Sequence, residues 1–248
     1  TQTNVHFLRC KTYTPSSIIG DRGSKNVLHE ECDFIGNSTD RNHYGYVGTY
    51  GEVTFLKCRS NGFTLRGTKK LNLVEGQFEG LGISTDSFPN SGANYDRSDV
   101  TINKCVLTGT TDMVNVDLTN FTMINTQYEA LDMSNASFSG THFHMENCSG
   151  GSTKIWMNDS PQNVTIKNCR IHKNKSVDFK VYFVCFPKNV IIDQLIIPDS
   201  EIVARLRFGA KGGTKTVDGK EEITPPEFVQ KLAITRTVIS QFNFEYSA

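Results

Sequence analysis

The 248-residue chain predicts an all-β solenoid, a stack of short coils, and three observations carry that expectation. One short phrase recurs along the whole length: an apolar residue, any residue, an apolar residue, two more of which the second is polar, then a small residue. Its apolar positions alternate with period two, which puts them on one face of a strand and would scatter them around a helix. Six of the seven cysteines (Cys10, Cys32, Cys58, Cys105, Cys148 and Cys169) occupy the same place in the phrase, as a small residue stacked in a core would.

The clearest copies are Val5-His6-Phe7-Leu8-Arg9-Cys10, Val53-Thr54-Phe55-Leu56-Lys57-Cys58, Val100-Thr101-Ile102-Asn103-Lys104-Cys105 and Val164-Thr165-Ile166-Lys167-Asn168-Cys169. Looser copies lie at 27–32, 71–76, 121–126, 143–148, 190–195 and 232–237, mostly 18 to 29 residues apart, with a gap of 42 before the last. A repeat of this length cannot bury its apolar side alone and does so by stacking on its neighbours. After each copy a turn leads to a second inward pair, such as Cys32 with Phe34, Gly76 with Phe78 or Cys169 with Ile171. A third short strand follows, read at Phe63–Leu65, Leu81–Ile83, Val114–Val116, Leu131–Met133, Ile155–Met157, Phe179–Val181 and Phe242–Phe244. The expected architecture is a single parallel β-helix domain over 1–248, of about ten coils. At the usual strand spacing it would be roughly 48 Å long.

The polar positions keep the same register. Just before the cysteine position the copies read Arg9, Glu31, Lys57, Glu75, Lys104, Asn125, Asn147, Asn168, Gln194 and Arg236: charges alternating in sign, then amides. Two places before it, Glu146, Lys167 and Asp193 alternate as well. Unlike charges facing each other across strands contribute roughly 0.2–1 kcal/mol each. Copy two is the weakest, because it places His29 where others have Phe or Ile.

Four stretches exceed what a coil needs: 14–26, 35–52, 84–99 and 198–231. The last three are read as projecting loops. The second is aromatic and Gly-rich (Tyr44 to Gly51), the third is rich in Ser, Asn, Asp and Gly, and in the fourth Thr224 is placed to cap a short helical turn before Pro225-Pro226. The first coil begins almost at residue 1, so a preceding segment or a partner is expected over that end.

Between 116 and 148, Leu118, Met123, Tyr128, Met133, Phe138, Phe143 and Cys148 fall every five residues, a stretch that resembles the pentapeptide-repeat family. The wider phrase, as in Val164 to Ile171, resembles the pectin-lyase-like superfamily. Both resemblances imply a right-handed parallel β-helix, and neither identifies a chemistry. By the same analogy, β-helix spikes are commonly trimeric, so a homo-oligomer is a possible state of this chain.

Composition narrows the partners. Twenty-six basic and 26 acidic residues leave a formal net charge of zero, without the basic excess of a nucleic-acid surface. No apolar run approaches the roughly 20 residues of a membrane span. Cysteines at one repeat position point to free, buried thiols rather than a disulfide framework, with Cys185 in another strand. Seven Asn-x-Ser/Thr triplets are read as a product of a chain rich in those residues.

The leading candidate site is the outward face of the third strands. Asn115 and Asp117, Asp132 and Ser134, Trp156 and Asn158, and Lys180 and Tyr182 point away from the core there. Trp156, the only tryptophan, can stack on a sugar ring while Asn115, Asn158, Lys180 and Tyr182 bind its hydroxyls. Asp117 and Asp132, read as diagonal neighbours roughly 7–8 Å apart, are the candidate catalytic pair for glycoside hydrolysis. His142 and His144, in His142-Phe143-His144-Met145-Glu146, are about 6.8 Å apart along one strand and are a weak metal candidate, since Asn120, Thr122, Asn163 and Thr165 beside them supply no strong third ligand. The adjacent Asp-Asp of polygalacturonases and the clustered calcium-binding Asp of pectate lyases are both missing from the sequence, and no cofactor motif is present. Two functions follow. One is a carbohydrate-directed surface protein resembling a phage tailspike, secreted or on a virion, with polysaccharide cleavage as an extension. The other is a non-catalytic scaffold that binds a protein partner.

Overall fold

The structure, a computed structural model, describes residues 3–13, 18–19, 25–35, 45–48, 51–66, 68–84, 98–113, 116–157, 162–172, 179–183, 187–198, 203–209, 213–217, 220–224, 231–239 and 241–247. Among them every regular element is a strand. The phrase strands form the first side of a parallel β-solenoid. His6–Leu8 pairs with Val27–Glu30, then in turn Glu52–Leu56, Lys70–Val74, Ser98–Asn103 and Asp117–Ile124. The series continues through the end of Gln127–Glu146, the starts of Asn163–Ile171 and Asn189–Ile197, and Lys231–Thr235. A second side runs from Lys11–Tyr13 to Val238–Ile239. A third runs from Ile18–Ile19 to Gln241–Ser247. All these pairings are parallel.

The corner between the first and second sides follows from the residue before the cysteine position. All ten residues there, from Arg9 to Arg236, have φ between 50° and 55°. A non-glycine residue in this left-handed region costs roughly 1–2 kcal/mol. The corner offsets the cost with hydrogen bonds in both directions along the stack. The corner residue's own amide reaches the next coil, as Glu31 N donates to Leu56 O and Lys104 N to Ile124 O. After it, the amide reaches the previous coil, as Arg59 N donates to Cys32 O and Gln127 N to Cys105 O. The side chains form the expected ladder: Arg9 Nε donates to Glu31 at 2.7 Å, Lys104 Nζ to Glu75 at 3.2 Å, Asn147 to Asn125 at 3.0 Å and Asn168 to Asn147 at 2.7 Å.

Cysteine suits the inward corner position for a reason beyond size. Its thiol donates to the carbonyl two residues back, which the sharp turn leaves facing inward: Cys32 to Glu30 O at 3.3 Å, Cys105 to Asn103 O at 3.4 Å and Cys148 to Glu146 O at 3.3 Å. Thr126 and Thr237 do the same with hydroxyls, at 2.9 and 3.0 Å. The described cysteines are all free; Cys10 is exposed and the other five are buried.

The core is built in columns. Val53, Leu71, Val100, Phe121, Phe143, Val164 and Val190 stack in one, at most 1% exposed. The register explains His29: it lies between Phe7 and Phe55, with centroids 4.7 and 4.8 Å away and planes within 8°. An imidazole is flat enough to take a phenyl's place in the stack, and burial pushes its pKa down to about 4. Gly150 is complementary to its neighbour in another way. The Tyr128 ring fills its side-chain space, 2.1 Å from where a Cβ would sit, and donates to or accepts from Thr153 Oγ1 at 2.8 Å.

The five-residue rhythm has a local counterpart. Leu118 pairs back with Phe138, four such steps later, on a short extra side of the coil. The wide gap before the last copy is an insertion. Ile192 pairs directly with Ile234, and Gly213–Val217 and Lys220–Thr224 form an antiparallel hairpin between them.

The expected third strand at Val114–Val116 is displaced. The register sets Thr111 and Asp112 opposite Leu131 and Asp132, and residues 114 and 115 lie outside the described residues. Two stretches read as loops contain third-side strands, Gly45–Gly48 and Val203–Gly209. Thr224 ends a hairpin strand, and the helical turn expected after it falls on 225–230, outside the described residues. So do 14–17, 20–24, 36–44, 49–50, 85–97 and the remainder of 198–231.

Two outcomes are expected. His29 stays neutral in the folded protein below its usual pKa of 6.5, while the unfolded chain takes up a proton. Stability from this residue is therefore full above pH 6.5, falls as pH drops toward 4, and levels off below. The loss is up to about 3 kcal/mol. Urea titrations at several pH values should show His29→Phe removing this part of the pH dependence; parallel curves for the two proteins would refute the assignment. Gly150→Ala should destabilise by about 1–3 kcal/mol, and the loss should shrink in a Tyr128→Ala background.

Candidate functional site

The third side holds most of the predicted site, with a changed register. Down one outward column, Asp112, Asp132, Lys154, Lys180 and Arg205 are successive Cα partners. Two residues further along each strand, Trp156 partners Tyr182, and Tyr182 partners Arg207. The alternation turns Trp156 outward next to buried Ile155, and Trp156 is 43% exposed.

Asp132 is held firmly. Its carboxylate accepts from Ser134 N at 3.0 Å and from Ser134 Oγ, and Lys154 Nζ approaches within 3.6 Å. Asp117 lies elsewhere. It begins the strand Asp117–Ile124, half-buried, opposite Ser137 on the short extra side. The two carboxylates are therefore not diagonal neighbours on one face. Asp112 takes the place beside Asp132, because the third strand of that coil starts earlier than its apolar pattern suggests. Lys180 is half-buried in the same column. Tyr182 is placed by its backbone register, and Asn115 and Asn158 lie outside the described residues.

The histidine strand sits on the first side with the neighbours the repeat gives it: Asn120 and Asn163 flank His142, and Thr122 and Thr165 flank His144. His142 Nε2 is 3.3 Å from Thr122 Oγ1, and His144 Nε2 is 3.1 Å from Glu146. Glu146 also pairs with Lys167 at 3.4 Å, and these partners hold its carboxyl below its usual range. Among the described residues no group of three or more His, Cys, Asp and Glu side chains could hold a metal ion.

Two features were not read from the sequence. The first is an open groove of about 370 Å³ on the second side, lined by Asp33, Ile35, Arg59, Asn61, Gln77, Glu79, Val106 and Thr108 among others. Gly62, Gly80 and Gly109, whose φ values of 66°, 58° and 68° favour glycine, directly follow Asn61, Glu79 and Thr108 of this lining. Those glycines were the available signal. Two of its charges pair with each other, Arg59 lying 3.2 Å from Asp33, and Lys11 outside the lining is 3.8 Å from the same carboxylate. The second is Ser149 Oγ, 2.8 Å from His172 Nε2. The pair is exposed, and no further side chain among the described residues orients the imidazole, so it lacks the third group that nucleophilic sites use.

Three of the buried thiols, Cys58, Cys105 and Cys169, are poor nucleophiles. Burial pushes Cys58 up to about 12 and Cys105 up to about 11, and a hydrogen bond with Cys148 together with burial raises Cys169.

Fold and site together define a parallel β-solenoid with a charged, aromatic-bearing outer side. No protein-family model matches the chain, and comparison with curated proteins and with solved structures finds no match. Among the described residues no helix is long and apolar enough to cross a membrane.

Mass-spectrometric mapping of maleimide labelling should find Cys10 modified rapidly in the native protein. Cys58, Cys105, Cys148 and Cys169 should react only in denaturant; native labelling of Cys58 would contradict the packing.

Proposed function

We propose that the protein is a carbohydrate-binding β-solenoid that engages glycan on its third side, in the manner of the tailspike and pectin-lyase-like β-helices its repeat resembles. The observation that carries this reading is Trp156, the chain's only tryptophan, held outward from a rigid parallel sheet beside a column of charged side chains. A flat indole fixed by the sheet offers the apolar face of a sugar a ready stacking surface, and binding loses little side-chain entropy because the strand already orients the ring. Charged groups one rung away supply the polar contacts that choose among sugars.

Binding is the activity proposed. Hydrolysis by Asp117 and Asp132 is not part of it, because the register separates them. The second-side groove is the weaker candidate: Arg59 and Asp33 in its lining pair with each other, and the lining includes no tryptophan. This reading carries with it a location where glycans are met, secreted or on a virion surface.

A glycan array probed with the wild type and Trp156→Ala tests the proposal. Selective binding should weaken by roughly 30-fold in the variant, the loss expected for a hot-spot aromatic, with the thermal midpoint unchanged. A blank array alongside capture of a protein partner would favour the scaffold function instead.

A further inference from the structure

The thiols at the inward corner position are shut into the core on later coils, but not on the first. Cys10 is exposed, whereas Cys32, Cys58, Cys105, Cys148 and Cys169 are buried. The register sets Cys10 directly opposite Cys32, between the partners Leu8 with Glu30 and Lys11 with Asp33. The Cys32 sulfur leans toward the first coil: it lies 3.4 Å from Phe7 O and accepts from Cys10 N at 3.4 Å. Directly opposed residues on parallel rungs are about 4.8 Å apart, inside the Cα span of roughly 4.4–6.8 Å that a disulfide can bridge. Two other pairs stack in the same way, Cys32 with Cys58 and Cys148 with Cys169, but both members of each are buried. An oxidant in solution therefore meets one stacked pair through one accessible thiol.

We propose that Cys10 and Cys32 are a redox modification site, at which a low-molecular-weight disulfide such as oxidised glutathione cross-links the first coil to the second. The Cys10 thiolate attacks one sulfur of the reagent, forms a mixed disulfide and releases one thiolate. Cys32 then attacks Cys10 Sγ, and its proton leaves with the second half of the reagent, which departs as a thiol. Two cysteine thiols are oxidised, and one small disulfide is reduced to two thiols. Burial raises the Cys32 pKa, so Cys32 is the slower, resolving partner and Cys10 the point of entry. Equivalent Cβ atoms on stacked rungs lie near the same spacing of about 4.8 Å, beyond the roughly 3.5–4.5 Å of a relaxed bridge. The bond is therefore readily reduced again, which suits reversible use. Its effect falls on the first coil. The strand His6–Leu8 is exposed along its length and, among the described pairings, joins one neighbour, Val27–Glu30. A bridge from Cys10 to Cys32 closes the intervening segment and holds that coil against local opening.

The test is to incubate the reduced protein with oxidised glutathione, trap it with N-ethylmaleimide and map it by mass spectrometry without reduction. Proteins are the wild type, Cys10→Ser and Cys32→Thr, the last because Thr126 and Thr237 already fill this corner position on other coils. The wild type should yield a peptide pair joined through Cys10 and Cys32. Cys32→Thr should stop at glutathionylated Cys10, and Cys10→Ser should leave Cys32 unmodified. The wild-type and Cys10→Ser results do not depend on how well the buried Cys32 substitution folds. The amides of Arg9 and Leu28 link the first two coils by donating to Glu30 O and Val5 O, and their hydrogen exchange should slow at least about tenfold in the cross-linked protein. Exchange should not slow in glutathionylated Cys32→Thr. A wild type that stops at the mixed disulfide, joins Cys10 to Cys10 of a second molecule, or cross-links only in denaturant would overturn the pair. A cross-link that leaves exchange unchanged would overturn its effect on the first coil.

Discussion

The left-handed corner before each small inward residue is the constraint on which the rest of the solenoid depends. It bends the chain from the first side to the second within one residue. It also shifts the hydrogen-bonding phase of the backbone: the corner residue's amide donates to the next coil, and the amide two residues later donates to the previous one. Each corner is strained alone and satisfied only between neighbours. That explains why the same conformation recurs at ten corners without a single glycine among the ten residues. It also explains the cysteine: a small side chain is needed inside the bend, and a donor is useful for the carbonyl two residues back, a role Thr126 and Thr237 fill equally well.

Once the corners stack, the sides have little freedom. Side chains at equivalent positions meet their own kind, so volume must be matched down each column rather than across a globular core. His29 fits because it is as flat as the phenyl rings on either side, and Gly150 fits because Tyr128 uses its space. Outward columns follow the same logic with charge, where alternation of sign is the economical solution.

The register of the first side was legible because each copy contains a corner, and one misplaced copy would break the charge ladder and the apolar columns together. Arg9 beside Glu31 and Glu146 beside Lys167 follow from alignment alone. The third side was less legible, since no corner residue marks where its strands begin. Val114 and Val116 look like a strand by alternation, yet pairing opposite Leu131 and Asp132 selects Thr111 and Asp112. That shift moved Asp117 away from Asp132 and brought Asp112 in. Trp156 was placed correctly as outward, because its apolar neighbours are unambiguous, but its lateral partner, Tyr182, required the stacked register. The second-side groove was harder to read for a related reason: its lining comes from four consecutive rungs, and the glycines that follow three of them mark a turn rather than a concavity.

By itself the sequence determined the periodicity, the inward and outward face of each phrase, the order of coils along the first side and the free state expected of the thiols. These are local properties, set by alternation and by a repeated corner, and stacking copies them from rung to rung. Only the tertiary structure decided which residues of the irregular third strands face each other, that the long insertion carries a hairpin, and that two anions and three cations fall into one column beside the tryptophan. Those outcomes depend on coil lengths that vary from one repeat to the next. Registration across coils is settled by the hydrogen-bonded stack as a whole, and no single stretch of chain encodes it.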